Sequence, residues 1–131
     1  MITARALKNA PDVLELYRAF LDREDERSGT VVLHHGRVKR PGKHVPDFRS
    51  VELQPLASDV EPRLARLAEA AKERYGLNQV LLVHRLGTVA AEDTVLVAIV
   101  SAETRDRCFD GCRFLVDEVK KEEIIRLIER P

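Results

Sequence analysis

The sequence is short of cysteine, has no long apolar run, and carries no surplus charge of either sign. Its only cysteines, Cys108 and Cys112, stand four apart in a stretch with helical spacing. They make a poor disulfide staple there and do not match the paired-ligand spacing of a zinc site. The longest apolar run, Val95 to Val100, falls far below the roughly 20 residues that cross a bilayer, and the segment after Met1 lacks the apolar core of a secretory signal. The expectation is a soluble, cytoplasmic protein. The 22 Lys and Arg residues are balanced by 22 Asp and Glu, which argues against nucleic-acid binding by bulk electrostatics and leaves room only for local basic patches. Glycine-rich phosphate loops, nucleophile elbows and His-Glu helix motifs are absent, as are internal repeats. What is present, 131 residues with 44% hydrophobic and 34% charged, suits one domain over 1–131.

Periodicity supplies the elements. A short apolar opening (Ile2, Ala4, Ala6, Leu7) reads as a strand, and Pro11 to Glu24 places Val13, Leu16, Tyr17 and Phe20 at helical spacing. Thr30 to Val38 and Arg49 to Leu56 read as strands, separated by KRPGKHVPDF, an irregular and mobile loop in which Lys39, Arg40, Lys43 and His44 concentrate positive charge. Ser58 stands three residues before Glu61, the capping-box spacing, and the helix after it stops at Gly76. Gln79 to Arg85 and Thr94 to Ala102 are β-rich, the second apolar enough to be buried on both faces. From Thr104 to about Glu122 a third helix carries Cys108, Cys112, Leu115, Val116 and Val119 on one stripe, so both thiols read as core packing. The tail with Ile124, Ile125, Leu127 and Ile128 is apolar enough to dock but too short to classify. The order β, α, β, β, α, β, β, α plus a tail is an α+β arrangement.

Few residues in this frame suggest chemistry. His34 and His35 are neighbours on a strand and point to opposite faces, so they read as ordinary strand residues and not as a metal pair. The basic features are the loop opening at Gly36-Arg37-Val38-Lys39-Arg40 and the pair Lys120-Lys121 at the end of the third helix. Loop lysines simply solvate, and lysines in a last turn meet the negative end of the helix dipole, which explains both features without a ligand. A small anion held between loop and helix end is the sharper alternative.

Several stretches together resemble one family. Ser28-Gly29-Thr30 leads by a strand into Gly36-Arg37-Val38-Lys39; the Val83-His84-Arg85-Leu86-Gly87 block follows; and the strand from Asp93 ends in Ser101-Ala102. In order and spacing these are similar to the large, catalytic subunit of molybdopterin synthase, and Phe109, Leu115-Val116-Asp117 and Lys120 continue the resemblance to about Lys121. It implies a two-layer, hammerhead-like α+β sandwich, a mainly antiparallel sheet with helices packed on it. It also implies a homodimer that binds a small ubiquitin-like sulfur carrier ending in Gly-Gly at each end, giving a heterotetramer. The implied activity is that of a sulfurtransferase of molybdenum cofactor biosynthesis. Sulfur passes from the carrier's thiocarboxylate to cyclic pyranopterin monophosphate, with no metal, resident cofactor, nucleic acid or membrane involved.

On this resemblance Lys120 matches the principal active-site lysine, and Lys39 stands where the family has a substrate-binding arginine. Arg37, Arg40, Arg126 and Lys121 are the further substrate-binding candidates, and Lys120 and Lys39 are expected to share one cation-lined hollow. The His84-Arg85 block reads as structural or dimer-related. The chain departs from the family at Glu103-Thr104, where a His-Arg pair is usual; at Leu127, where a second lysine aligns; and at Pro55-Leu56, where His-Tyr usually ends the strand. These departures keep open a non-catalytic dimeric homologue that still binds a ubiquitin-like partner or a sister subunit, and an enzyme acting on another small anion.

Overall fold

A computed structural model describes all 131 residues. The elements are β1 (Ile2–Leu7), α1 (Val13–Asp22), β2 (Thr30–Arg37), β3 (Ser50–Pro55), α2 (Val60–Tyr75), β4 (Gln79–Arg85), β5 (Gly87–Val89), β6 (Thr94–Ala102), α3 (Arg105–Val119) and β7 (Ile125–Arg130). The larger sheet has the order β1-β4-β6-β2, with β1 parallel to β4 and the other pairs antiparallel; the smaller, β5-β3-β7, is antiparallel throughout. The α+β sandwich expected from the sequence is what forms.

The strand β6 fixes this layering, because its apolar residues alternate between two covered faces. Leu96, Ala98, Val100 and Ala102 join Val80 and Leu82 of β4 beneath α2 and α3, while Val97 and Ile99 join Leu81 and Val83 around Phe20 of α1. Cys108 and Cys112 lie inside the first cluster as free thiols. Burial raises the Cys108 thiol and pushes Cys112 up to about 11, so neither is a ready nucleophile. The inner residues of the small sheet, Val51, Leu53, Val89 and Ile125, extend this same cluster.

Three local expectations change, the first being that a short strand, β5, forms in the connection between β4 and β6 and pairs with β3. The helix α2 has Asp59 as its N-cap, without a side-chain cap bond: the Asp59 carboxylate holds Arg63 at 2.7 Å, and Glu61 accepts instead from the Ala6 backbone N–H at 2.8 Å. A stronger charged partner and a neighbouring strand thus displace the Ser58–Glu61 box. Gly76 closes the helix in the left-handed conformation (φ 64), as its position suggested. The unclassified tail is β7, which runs antiparallel along β3 from Ile125↔Pro55 to Arg130↔Ser50. A lone six-residue apolar stretch shows no decisive period, and the partner strand supplies what local sequence lacks.

The basic loop between β2 and β3 is irregular but anchored. The backbone N–H groups of Lys43, His44 and Val45 donate to the Glu129 carboxylate on β7 at 2.6, 2.7 and 2.6 Å, and Phe48 is buried beneath. A side chain at Gly42 has no room, since its Cβ would stand 2.3 Å from the Val45 carbonyl oxygen. These three donors, with the charge of His44, hold the Glu129 carboxyl below its ordinary value of 4.5.

Truncating the central strand tests the layering: Leu82→Ala, at a position with 0% exposure, should cost about 2 to 5 kcal/mol in urea denaturation, and a loss below about 1 kcal/mol would contradict the packing described. The loop anchor gives a second expectation. A carboxyl with a depressed value keeps its tie as the pH falls through 4.5 and loses it only below. The amide resonances of residues 43–45 should therefore titrate together with a midpoint under 4.5, and Glu129→Gln should remove that titration.

Candidate functional site

The helix α3 ends at Lys120, whose N–H still donates to the Val116 carbonyl at 3.0 Å, and the chain turns there through Glu122 at positive φ. The Glu122 carboxylate accepts from the Leu127 N–H at 3.2 Å and so ties the start of β7 to the helix end. Lys120 is thereby left at the junction of two hollows.

The first hollow, about 250 Å³, lies between β2, the end of α3 and the start of β7, and is lined by His34, Arg37, His84, Lys120, Glu122 and Leu127 over an apolar floor that includes Leu53 and Leu96. The second, about 400 Å³, gathers Lys120, Lys121 and Arg126 with Lys43 and His44 of the anchored loop, against Glu122 and Glu129. Five basic side chains thus face one surface hollow of a chain whose net charge is zero. They are not equally available: Lys121 forms an ion pair with Glu118 that raises its pKa, and the pair neutralises it locally.

Lys39 and Arg40 lie elsewhere. With Arg37 and Arg49 they line a third hollow of about 560 Å³ that also exposes Glu92. None of these four cations is matched by a carboxylate in an ion pair: Arg37 donates through Nε to the Glu92 backbone carbonyl at 2.9 Å, and the Arg40 guanidinium sits 5.1 Å over the Phe48 ring. The single hollow expected for Lys120 and Lys39 is therefore two, and Arg37 lines both. A break in the β2–β6 register between Gly36 and Arg37 accounts for this, because a bulge re-aims the side chain that follows it.

The histidines divide as alternation requires. His35 faces away and pairs with the Thr94 hydroxyl at 2.8 Å, whereas His34 faces the first hollow. Burial lowers the pKa of His34, and the Lys120 ammonium and His35 lower it further. His84 is buried beside it. Its Nδ1 lies 2.8 Å from the Arg85 carbonyl, which accepts only, so the ring donates there and the neutral form keeps its lone pair on Nε2. Burial also depresses His84. The His84-Arg85 block thus splits: His84 lines the hollow, while Arg85 reaches the Lys8 carbonyl at 3.3 Å.

Sequence reasoning singled out Lys120, Lys121, Arg126, Arg37, Lys39 and Arg40, and the structure brings the first three together and the last three together. It passed over Arg49, an unremarkable strand-edge residue, and gave no role in a site to His34, whose face was readable from alternation but whose facing partner was not. Glu103 and Thr104, where the family has His-Arg, open α3: the Thr104 hydroxyl accepts from the Arg107 N–H at 3.4 Å as its N-cap.

Comparison with known proteins points one way. The molybdopterin synthase catalytic subunit of Ralstonia nicotianae is 32% identical over 72 residues, which are 55% of this chain and 41% of that protein, so the match spans less than half of the relative's length. Molybdopterin synthase from Staphylococcus aureus superposes with a TM-score of 0.79 at 22% identity, covering 95% of this chain and 86% of the other. A Helicobacter pylori chain, from a complex of subunits 1 and 2 of molybdopterin-converting factor, does so with a TM-score of 0.70 at 14% identity, covering 98% and 83%. At those identities the structural likeness is one of fold. The sequence match carries the family, extending over residues 7–122: the chain belongs to the MoaE protein family.

Proposed function

We propose that the chain acts as a molybdopterin synthase catalytic subunit, transferring sulfur from a thiocarboxylated, ubiquitin-like carrier to a cyclic pyranopterin monophosphate. The carrying observation is the placement of Lys120 where the hollow with His34 and Arg37 meets the hollow with Lys43, His44 and Arg126. A carrier tail ending in a thiocarboxylate and a pterin phosphate are both anions, and two adjoining cation-lined hollows accommodate both with one lysine between them. Lys120 serves as the catalytic residue, a proton donor or acceptor at the reacting group. Arg37 and Arg126 hold charge on either side, and Lys121 acts at the rim, its charge shared with Glu118. Lys39, Arg40 and Arg49 form an outer anion-binding surface reached past Arg37. The carrier subunit and a homodimeric assembly belong to the same reading, as does a cytoplasmic site of action; no helix is long and apolar enough to cross a membrane.

One observation favours a second reading. Leu127 lines both hollows at the place where the family resemblance implies a second lysine, and an apolar side chain there weakens anion binding. A homologue that docks the carrier or a sister subunit without turning over substrate would tolerate it. Purified protein incubated with thiocarboxylated carrier and pyranopterin separates the two: dithiolene product supports the first, and carrier binding without product supports the second.

Lys120→Ala should reduce product formation by about a hundredfold or more, with carrier binding and thermal midpoint retained; unchanged turnover would remove Lys120 from the mechanism. Arg49→Ala should raise the KM for the pterin by about tenfold with kcat little changed, the effect of losing one charge-assisted hydrogen bond, and an unaltered KM would exclude the outer surface from substrate binding.

A further inference from the structure

The hollow beside Lys120 contains a group that neither the family resemblance nor the proposed chemistry uses. His34 sits on β2 with its ring folded back over Gly36: Nε2 lies 3.3 Å from the position a Cβ would take at that glycine, and Leu96 crowds the same position at 3.3 Å. The glycine therefore makes the space in which the imidazole lies. The ring makes no hydrogen bond within the protein, and it shares the hollow with Lys120, whose charge acts on it, and with Arg37, whose Nε is held by the Glu92 carbonyl.

We propose that His34 is an anion-binding residue of this hollow, taking up a proton as a phosphate-class anion enters and then donating from its ring beside Lys120 and Arg37. This rests on the anionic-substrate part of the function proposed above and not on sulfur transfer. The groups that face it from each surrounding element are known. Arg37 and, on the far side of the strand, His35 come from β2; Lys120 comes from the end of α3, with Glu122 just beyond; and His84 comes from β4. Without an anion, burial and the Lys120 charge favour the neutral ring. An incoming anion opposes the positive field of Lys120 and adds an acceptor, and both changes favour the imidazolium. Binding then consumes a proton, and affinity falls as the pH rises through the value His34 has in the complex.

Sulfate is a suitable probe, since its charge is constant over the range of about pH 5 to 8 in which imidazoles titrate. The chain has 4 histidines, so each imidazole is resolvable by long-range proton–nitrogen correlation spectroscopy. Without sulfate His34 should titrate below the ordinary 6.5; with sulfate, and not with chloride at the same ionic strength, its midpoint should rise. Calorimetry in buffers of different ionisation enthalpy should show proton uptake on sulfate binding by the parent protein and none by His34→Gln. In Gly36→Ala, where the added methyl displaces the ring, the sulfate-induced rise should shrink although the imidazole is present. A His34 midpoint that does not move with sulfate, or moves equally with chloride, overturns the proposal, as does undiminished proton uptake in His34→Gln. Turnover that depends on Lys120 while His34 ignores sulfate would sink this inference and leave the sulfur-transfer reading intact; a responsive His34 in a protein without turnover would do the reverse.

Discussion

The pairing of β7 with β3 is the constraint on which the rest of the site depends. It obliges α3 to stop at Lys120, because the chain must turn through Glu122 to bring Ile125 opposite Pro55. The same strand carries Glu129, whose carboxylate gathers three backbone N–H groups of the loop at residues 43–45 and so fixes Lys43 and His44 opposite Lys120. A carboxylate here serves a cationic site indirectly. It satisfies loop donors that would otherwise need water, and in doing so it holds the loop's own cations at the rim. The two strands bring into one hollow a helix end, a loop and a strand that are far apart in the chain.

Much of the frame was legible from periodicity. The strands β4 and β6 form over the stretches their apolar patterns mark, and the stripe from Cys108 to Val119 packs as its spacing requires. Such segments carry enough buried side chains for local pattern to decide their state. The features that were not legible depend on partners remote in sequence. Nothing local makes Ile125–Arg130 a strand, and Glu61 abandons its capping geometry because β1 offers the Ala6 N–H. The candidate site follows the same division. The chemistry of Lys120, Arg126 and Arg37 could be named from residue type and resemblance, but which cations share a hollow is set by the turn at Glu122 and the break in the β2 register, and neither has a sequence signature.

That break in register explains why Arg37 stands between the two groups of basic residues. Along a regular strand Arg37 would face away from His34 and Gly36 and line only the hollow it shares with Lys39; after the bulge, drawn to the Glu92 carbonyl, it stands in the wall between the two. Keeping the groups apart has an electrostatic benefit. Arg37, Lys39, Arg40, Arg49 and Lys120 crowded into one concavity without carboxylates would repel strongly in a partly desolvated space, whereas two hollows joined at Arg37 spread the charge over a larger surface. The neutral state of His34 follows from the same logic. Beside Lys120 and Arg37 a further permanent charge would add repulsion in the empty hollow, whereas an imidazole contributes charge only when an anion is present to compensate it. A protein with no net charge can thus present a strongly cationic hollow on demand, with its positive potential local, divided and partly inducible.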